Sequence, residues 1–251
     1  SIAEFLFSAD WAPSDSAEGG GSVGAAIFIF GSVITCALAL AIATPFSLAT
    51  AIFMTEISPE LGKRFVQPAV EIFVGIPSVV YGWIGLTILV PLIKNIFNLR
   101  FGFSVLAAGI VLAVMIFPTI TSLAADALRS IPKSYRAASY GLGATRWQTI
   151  AKVVVPAAVT GLMTAVILGL ARAFGEALAV AMVIGKMRAF PTSLLSPTNN
   201  LTAAIAADMG GAMEGSEYNI ALWTMALMLF IISLACIFAI HFLTAKGGKQ
   251  A

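Results

Sequence analysis

The chain has 251 residues, of which 59% are hydrophobic and only 10% are charged, and its formal net charge is +2. An ordinary soluble domain carries about 25% charged residues, so a soluble globule of this size could not cover its surface with so few charges. The composition excludes a soluble domain, a disordered chain and a disulfide scaffold. The small net charge gives no indication of nucleic-acid binding, and the chain is predicted to be an integral membrane protein.

The first 22 residues differ from the rest of the chain. They contain four acidic residues, Glu4, Asp10, Asp15 and Glu18, no lysine or arginine, and a glycine-rich run at their end. The segment has neither the basic start nor the apolar stretch of a signal peptide. We expect residues 1–22 to form an external N-terminal segment and residues 23–251 to form the transmembrane domain.

Five stretches are long and apolar enough to cross a membrane, which takes about 20 residues. They are residues 23–55, 72–93, 101–125, 153–185 and 218–245. They lack the alternation of an outer-membrane barrel, and helices satisfy every backbone amide within the segment. The predicted fold is therefore an all-α integral membrane protein, a bundle with five transmembrane helices in this chain.

The distribution of lysine and arginine predicts the orientation of these helices. If the N-terminus is outside, the connections 56–71, 126–152 and 246–251 are cytoplasmic, and 186–217 is an external loop. The cytoplasmic connections then contain nine basic residues and the external segments four. Positive charge concentrates on the cytoplasmic side of membrane proteins, so we expect the N-terminus outside and the C-terminus in the cytoplasm.

Prolines are expected to interrupt three of the spans, at Pro45, Pro77 and Pro118. Proline removes an amide donor and frees a carbonyl. Each break is either a simple kink or part of a mobile bundle with a path through it, where neighbours or water satisfy the freed groups.

The connection 126–152 is the longest cytoplasmic loop. Ser134 is predicted to cap a short helix through Tyr140, Gly141 and Gly143 allow a sharp turn, and Thr145 is predicted to cap a second helix leading to Pro156. Two short helices at an angle suit docking into a groove of a partner protein. A basic loop resting on anionic lipid is the alternative.

Arg172 and Glu176 are charged residues within the fourth apolar stretch. Residues four apart on a helix share a face, so we expect both side chains to face the bundle interior or water near the centre of that span. A guanidinium offers forked donors that match the oxygens of an anion such as phosphate. Arg172 would then bind a translocated anion, and Glu176 would hold the Arg172 side chain in position. The alternative is a buried pair that only fixes helix packing.

The loop resembles the EAA loop of ABC-importer permeases. That pattern is Glu-Ala-Ala, three residues, Gly, nine residues and Ile-x-Leu-Pro, and Ala138, Gly143 and Pro156 fall in register with it. Ala137 occupies the position of the leading glutamate. The resemblance implies that the loop, with Ala137, Ala138, Ser139, Gly141, Gly143 and Pro156, couples the chain to ATPase subunits.

Two further segments resemble phosphate-importer permeases. They are residues 71–82, with Gly75-Ile76-Pro77-Ser78, and residues 168–180, with Arg172 and Gly175-Glu176. The segment 181–185 is more similar to the PstC type than to its PstA-type partner. The resemblance implies the type I importer permease fold. Because that family has six spans, it also implies that the first family helix is missing from this chain.

The resemblance implies a non-catalytic subunit of an ATP-driven phosphate importer in the bacterial inner membrane. Its implied partners are a second, PstA-like permease, two PstB-like ATPase subunits, a PstS-like phosphate-binding protein, inorganic phosphate and the lipid bilayer, without nucleic acid. This chain has no Gly-x-x-x-x-Gly-Lys-[Ser/Thr] phosphate loop. No cofactor is expected in it, and ATP and magnesium would be bound by the ATPase subunits. Arg172 and Glu176 would lie on the substrate pathway.

Other functions are compatible with parts of the sequence. A permease for sulfate, molybdate or tungstate would also use an arginine within a membrane helix. A secondary transporter predicts an internal repeat, which the sequence does not display. A membrane scaffold for an oxidoreductase would need histidine pairs or cysteine clusters, and the chain has one histidine and two cysteines.

Overall fold

The computed structural model of the chain describes residues 2–14 and 20–247. Parts of the predicted external segment 1–22 and of the predicted cytoplasmic end 246–251 lie outside these ranges, namely residues 1, 15–19 and 248–251. Over the described residues the structure is almost entirely helical, with a single short antiparallel pair of strands, β1 (Trp11–Ala12) and β2 (Ser22–Val23).

Fourteen α-helices follow one another along the described chain. They are α1 (Ile2–Phe7), α2 (Ala26–Ile52), α3 (Pro59–Leu61), α4 (Gln67–Gly75), α5 (Ser78–Ile84), α6 (Val90–Ile96), α7 (Val105–Arg129), α8 (Lys133–Gly141), α9 (Arg146–Thr149), α10 (Val155–Ala157), α11 (Val159–Gly175), α12 (Leu178–Val183), α13 (Leu201–Asp208) and α14 (Glu217–Gly247). Four π-helical turns lie between some of them, at Phe53–Ile57, Gly62–Val66, Gly85–Leu89 and Ile150–Val154.

Four of the five predicted membrane spans are confirmed as continuous helices, and the fifth corresponds to a bent pair. Four continuous helical stretches in the described chain are long and apolar enough to cross a membrane, Ala26–Ile57, Ser78–Ile96, Val105–Arg129 and Glu217–Ala239. A fifth is a pair of helical stretches, Arg146–Ala157 and Val159–Gly175, bent by 68°. The second span begins at Ser78 rather than at residue 72, because the chain breaks between α4 and α5.

Only one of the three predicted proline interruptions breaks its helix. Ile76 is extended, with a ψ of 128°, and Pro77 precedes the first residue of α5, as expected because proline disfavours a helical residue before it. Pro45 and Pro118 instead lie inside the continuous helices α2 and α7, so those two interruptions are wrong. Next to Pro118, the Phe117 carbonyl accepts hydrogen bonds from the hydroxyls of Thr121 and Ser47. The carbonyl that loses its usual donor at Pro118 is that of Val114, four residues earlier, so these bonds do not replace the missing one. The Ser47 bond instead links α2 to α7.

The described chain forms two compact units. The first contains residues up to 39, 77–113 and 172–234. Its core brings together Trp11, Phe28, Leu201, Leu222 and Met225, and the rings of Trp11 and Phe28 meet edge to face with centroids 4.8 Å apart. These contacts bind the segment before α2 to helices α13 and α14.

The second unit contains residues 40–76, 114–171 and those from 235 onwards. Glycines allow close helix packing there, since a Cβ at Gly161 would contact Ala127 at 2.6 Å and one at Gly169 would contact Ile120 at 2.5 Å. Small residues let membrane helices approach closely. The same unit contains the loop 126–152, so the short helices α8 and α9 are fixed to the ends of longer ones.

Gly31 gives a test of the packing in the first unit. A Cβ at this position in α2 would collide with the backbone carbonyl of Asn199. We expect Gly31→Ala to lower the free energy of unfolding by about 1–3 kcal/mol, as overpacking does, although alanine is the better helix former. Thermal unfolding in detergent measures the change. Gly75→Ala is the control, because nothing lies within 4 Å of a Cβ there, and equal losses in both variants would contradict the packing.

Candidate functional site

The fourth apolar segment is broken immediately after helix α11. Helix α11 ends at Gly175, residues 176 and 177 are not helical, and α12 begins at Leu178. Arg172 therefore lies in the last turn of α11, and the residue is neither fully buried nor fully exposed within this chain. The segment presents a charged side chain beside a break in the helix, a feature that lines cavities in membrane transporters.

The structure corrects the predicted arrangement of Arg172 and Glu176. The two residues were expected on one face of a continuous helix near its centre, but Glu176 lies in the break. Its carboxylate accepts a hydrogen bond from the Ala179 backbone amide at 3.2 Å, in the first turn of α12. The prediction failed because the periodicity of an apolar run does not show where a polar side chain will satisfy the amides of a new helix.

The backbone at the break is fixed by a residue far along the chain. The Thr202 hydroxyl, at the start of α13, donates a 2.7 Å hydrogen bond to the Glu176 carbonyl. Tyr81 of α5 lies within electrostatic range of the Arg172 guanidinium. The break thus has a defined geometry, with Arg172 on one side of it and a phenol nearby. A guanidinium so placed can bind an oxyanion through its forked donors.

The second candidate site is the turn between α8 and α9, which we call the elbow (residues 133–149). At the end of α8, the backbone amides of Leu142 and Gly143 donate hydrogen bonds to the carbonyls of Ala138 and Tyr140, respectively. Gly143 has a φ of +81°, a left-handed conformation that glycine adopts without the cost other residues bear. The predicted sharp turn is confirmed at Gly143, whereas Gly141 is the last residue of α8.

The start of α9 is as predicted and the start of α8 is not. Thr145 accepts a hydrogen bond from the Gln148 amide, and the Gln148 side chain accepts one from the Thr145 amide, which completes a capping box. Helix α8 instead begins at Lys133 after Pro132, so Ser134 lies inside the first turn and does not cap it. Proline, with its fixed φ, starts this helix without a side-chain cap.

The two arms of the elbow are joined by a buried contact. The hydroxyls of Ser139 and Thr149 lie 2.9 Å apart, and both residues are buried. Ala137 and Ala138 are exposed on α8, and Pro156 is exposed in α10 after the second arm. A groove of about 530 Å³ runs along the elbow. Its lining residues are Ser134, Tyr135, Ala138, Ser139, Leu142, Ala144 and Val153.

The surface of the elbow is unusually apolar for a loop with several basic residues. Leu142 is 90% exposed and Trp147 66% exposed, and Tyr135 and Tyr140 are also exposed. Exposed apolar side chains of this kind can bind another protein or a membrane, so the surface is compatible with both alternatives for this loop.

A largely buried ion pair ties the elbow to the end of the first span. Arg136 donates to the Glu56 carboxylate through Nε at 3.1 Å and Nη2 at 2.5 Å, and their side chains are only 19% and 8% exposed. Arg136 also donates to the carbonyls of Leu128 and Ile131. The hydrogen bonds that Arg136 donates to the Glu56 carboxylate raise the pKa of Arg136. Removing one partner of such a pair costs about 3–5 kcal/mol.

A second arginine of the elbow binds the same helix end. Arg146 donates hydrogen bonds to the backbone carbonyls of Glu56 and Ile57. Carbonyls at the C-terminal end of a helix lack partners within the helix and carry partial negative charge, so a guanidinium stabilises them. We call Glu56, Arg136 and Arg146 the clamp. Sequence reasoning missed it, because its members lie 80 and 90 positions apart and no spacing pattern connects them.

Comparison with known proteins identifies the type of membrane protein. Residues 43–246 match the family described as the binding-protein-dependent transport system inner membrane component. The chain is 54% identical over 243 residues to the probable ABC transporter permease protein YqgH of Bacillus subtilis, covering 97% of this chain and 78% of that protein.

Other relatives carry a more specific name. The chain is 38% identical to the phosphate transport system permease protein PstC of Haemophilus influenzae, over 91% of this chain and 76% of that protein. It is 33% identical to the probable PstC of Methanocaldococcus jannaschii, over 84% and 72%. The family match, over residues 43–246, includes both candidate sites.

Among solved structures, the chain resembles a subunit of the MetNI methionine ABC transporter in an inward-facing conformation. The TM-score is 0.67 at 22% sequence identity, with 88% of this chain and 96% of that chain covered. At this identity the comparison shows the fold alone. It confirms the predicted type I importer permease fold.

Gly143 gives a test of the elbow. Alanine in the left-handed conformation costs about 1–2 kcal/mol, so Gly143→Ala should accelerate amide hydrogen exchange in residues 142–149 by about 5–30-fold. Mass spectrometry of the exchanged chain measures the rates. Gly141→Ala is a matched control, since Gly141 is helical and nothing lies within 4 Å of a Cβ there. Equal exchange in the two variants would show that the turn does not require glycine at 143.

Proposed function

Because the chain belongs to the family of binding-protein-dependent transport system inner membrane components, we propose that it is the PstC-like permease subunit of an ATP-driven phosphate importer. The observation that supports this most strongly is its 38% identity, over 91% of its length, to a phosphate transport system permease. The position of Arg172 beside a break in an apolar helix agrees with the transport of an anion.

In this proposal Arg172 lies on the substrate pathway and Glu176 supports it. The guanidinium would bind phosphate oxygens through paired charge-assisted hydrogen bonds. Glu176 would influence the pathway indirectly, by fixing the backbone at the break. Its carboxylate accepts a hydrogen bond from the Ala179 amide, and its carbonyl accepts one from the Thr202 hydroxyl. These bonds hold the break open in one geometry, so the phosphate meets a guanidinium with a defined direction.

The elbow is the proposed docking site for the ATPase subunits. Ala137, Ala138, Ser139, Gly141, Gly143 and Pro156 would place its two arms in a groove of each ATPase. The exposed Leu142 and Trp147 would provide the apolar contact. Ala137 stands where related loops carry a glutamate, so this contact relies on shape and apolar surface more than on a charge at that position.

The complete importer would contain this chain, a PstA-like permease, two PstB-like ATPases and a PstS-like phosphate-binding protein. The binding protein would deliver phosphate at the outer face, and the ATPases would bind ATP and magnesium and supply the energy. With the chain in the inner membrane, its N-terminus lies outside and its C-terminus in the cytoplasm. This orientation is supported by the excess of basic residues in the connections 56–71 and 126–152.

A permease for sulfate, molybdate or tungstate is the second candidate, because a guanidinium binds those tetrahedral anions through the same donors. The complex reconstituted in lipid vesicles distinguishes the two. Uptake of radiolabelled phosphate that an excess of sulfate does not reduce supports the proposal. ATP-dependent uptake of sulfate in place of phosphate would overturn it.

In the same assay Arg172→Ala should reduce phosphate uptake at least a hundredfold while the complex still assembles. A charge-assisted bidentate contact is lost, and it has no substitute at that position. Arg172→Lys keeps the charge without the fork and should retain a small part of the uptake. Assembly is checked by co-purification of the four kinds of subunit, and normal uptake by Arg172→Ala would exclude this side chain from the pathway.

A further inference from the structure

The clamp connects two parts of the chain that an ATP-driven cycle would have to move together. One is the elbow, which carries Arg136 and Arg146. The other is the end of the first span, Ala26–Ile57, which carries Glu56 and the carbonyls of residues 56 and 57. The hydrogen bonds of these three residues fasten the elbow directly to a membrane-spanning helix.

The geometry distinguishes the clamp from an ordinary surface ion pair. Arg136 uses all of its side-chain nitrogens, with Nε and Nη2 on the Glu56 carboxylate, Nη1 on the Ile131 carbonyl and a further bond from Nη2 to the Leu128 carbonyl. The Arg129–Asp126 pair, by contrast, is separated by 3.5 Å and its side chains are 35% and 67% exposed. Exposed pairs of that kind contribute little to stability or to rigidity.

The Glu56 carboxylate of the clamp cannot also contact a partner protein. Glu56 is 8% exposed and both of its oxygens accept from Arg136, so the carboxylate acts within the chain. Arg146 reaches the same helix end through two backbone carbonyls. A displacement of the elbow is therefore passed to the Phe53–Ile57 turn through three side chains rather than lost in a flexible loop.

We infer that Glu56, Arg136 and Arg146 are positioning residues that transmit the movement of the elbow to the first span during the ATP cycle. The inference rests on the proposed function, since it needs an ATPase that moves the elbow. If the clamp only stabilised the fold, its loss would reduce the amount of assembled complex. If it transmits movement, its loss reduces the phosphate transported per ATP hydrolysed by complexes that do assemble.

The test compares phosphate uptake and ATP hydrolysis in the same vesicles, using the complete reconstituted complex. Glu56→Gln removes the charge that Arg136 binds, and Arg146→Gln removes the exposed guanidinium with no buried charge left behind. We expect uptake per ATP to fall about tenfold in Glu56→Gln and about fivefold in Arg146→Gln. The rate of ATP hydrolysis should stay within twofold of the unmodified complex, with the ATPases still co-purifying.

Arg64→Gln is the matched control. Arg64 is an exposed arginine of the connection 56–71, and its guanidinium lies over the Phe65 ring, 5.3 Å from the centroid. Its loss should leave uptake per ATP unchanged. Arg146→Lys keeps one donor for the two carbonyls and should restore part of the coupling.

Three results would overturn the inference. The first is an unchanged uptake per ATP in Arg146→Gln, which would limit the clamp to a role in folding. This conclusion holds also if Glu56→Gln fails to assemble. The second is loss of the ATPases from Arg146→Gln, which would place Arg146 in the docking surface. The third is an equal fall in Arg64→Gln, which would make the effect one of surface charge. Failure of the proposed function is distinct, because the unmodified complex would then take up no phosphate.

Discussion

The structure depends on the cost of placing charge in a chain that is 59% hydrophobic. A single arginine at the centre of a membrane helix costs about 2.5–3.5 kcal/mol on insertion scales. Arg172 is kept in an apolar segment, so the fold has to give it water or polar partners. Next to Arg172, α11 ends at Gly175 and α12 starts at Leu178, and Glu176 and Thr202 make hydrogen bonds at the backbone of this break. The proposed anion pathway depends on this arginine beside the break.

The cost of placing charge also has to be offset in the clamp, on the predicted cytoplasmic side. There the charged side chains have partners within the chain. Glu56 and Arg136 form an ion pair, and Arg146 donates hydrogen bonds to carbonyls at a helix end. Mutual satisfaction produces rigidity. A rigid connection is what the proposed transmission of movement through the elbow requires, whereas the proposed anion site requires a guanidinium that can bind and release its ligand. The chain thus uses its few charged side chains in two different ways.

Sequence reasoning recovered what local chemistry determines. Apolar length located the spans, and the Thr145 cap and the Gly143 turn were predicted from residue type and position. It failed where a distant residue decides the backbone. The break at Glu176 is held by Thr202, 26 positions away, and the clamp joins residues 80 positions apart. Pro45 and Pro118 stay within continuous helices, whereas a local rule predicts a break at each proline. No pattern within a window of one helix contains that information.

The central claim is that the Arg172 position faces an aqueous path. It is tested most directly by Arg172→Cys in a chain whose Cys36 and Cys236 are replaced by alanine, treated in lipid vesicles with a membrane-impermeant maleimide. Met213→Cys, at a position 66% exposed in the predicted external loop 186–217, serves as the labelling control. The account predicts that the Arg172→Cys thiol reacts and that its rate changes when the ATPases bind ATP. A thiol that stays unlabelled in every nucleotide state, while Met213→Cys reacts, would show that no aqueous path reaches this position and would contradict the account.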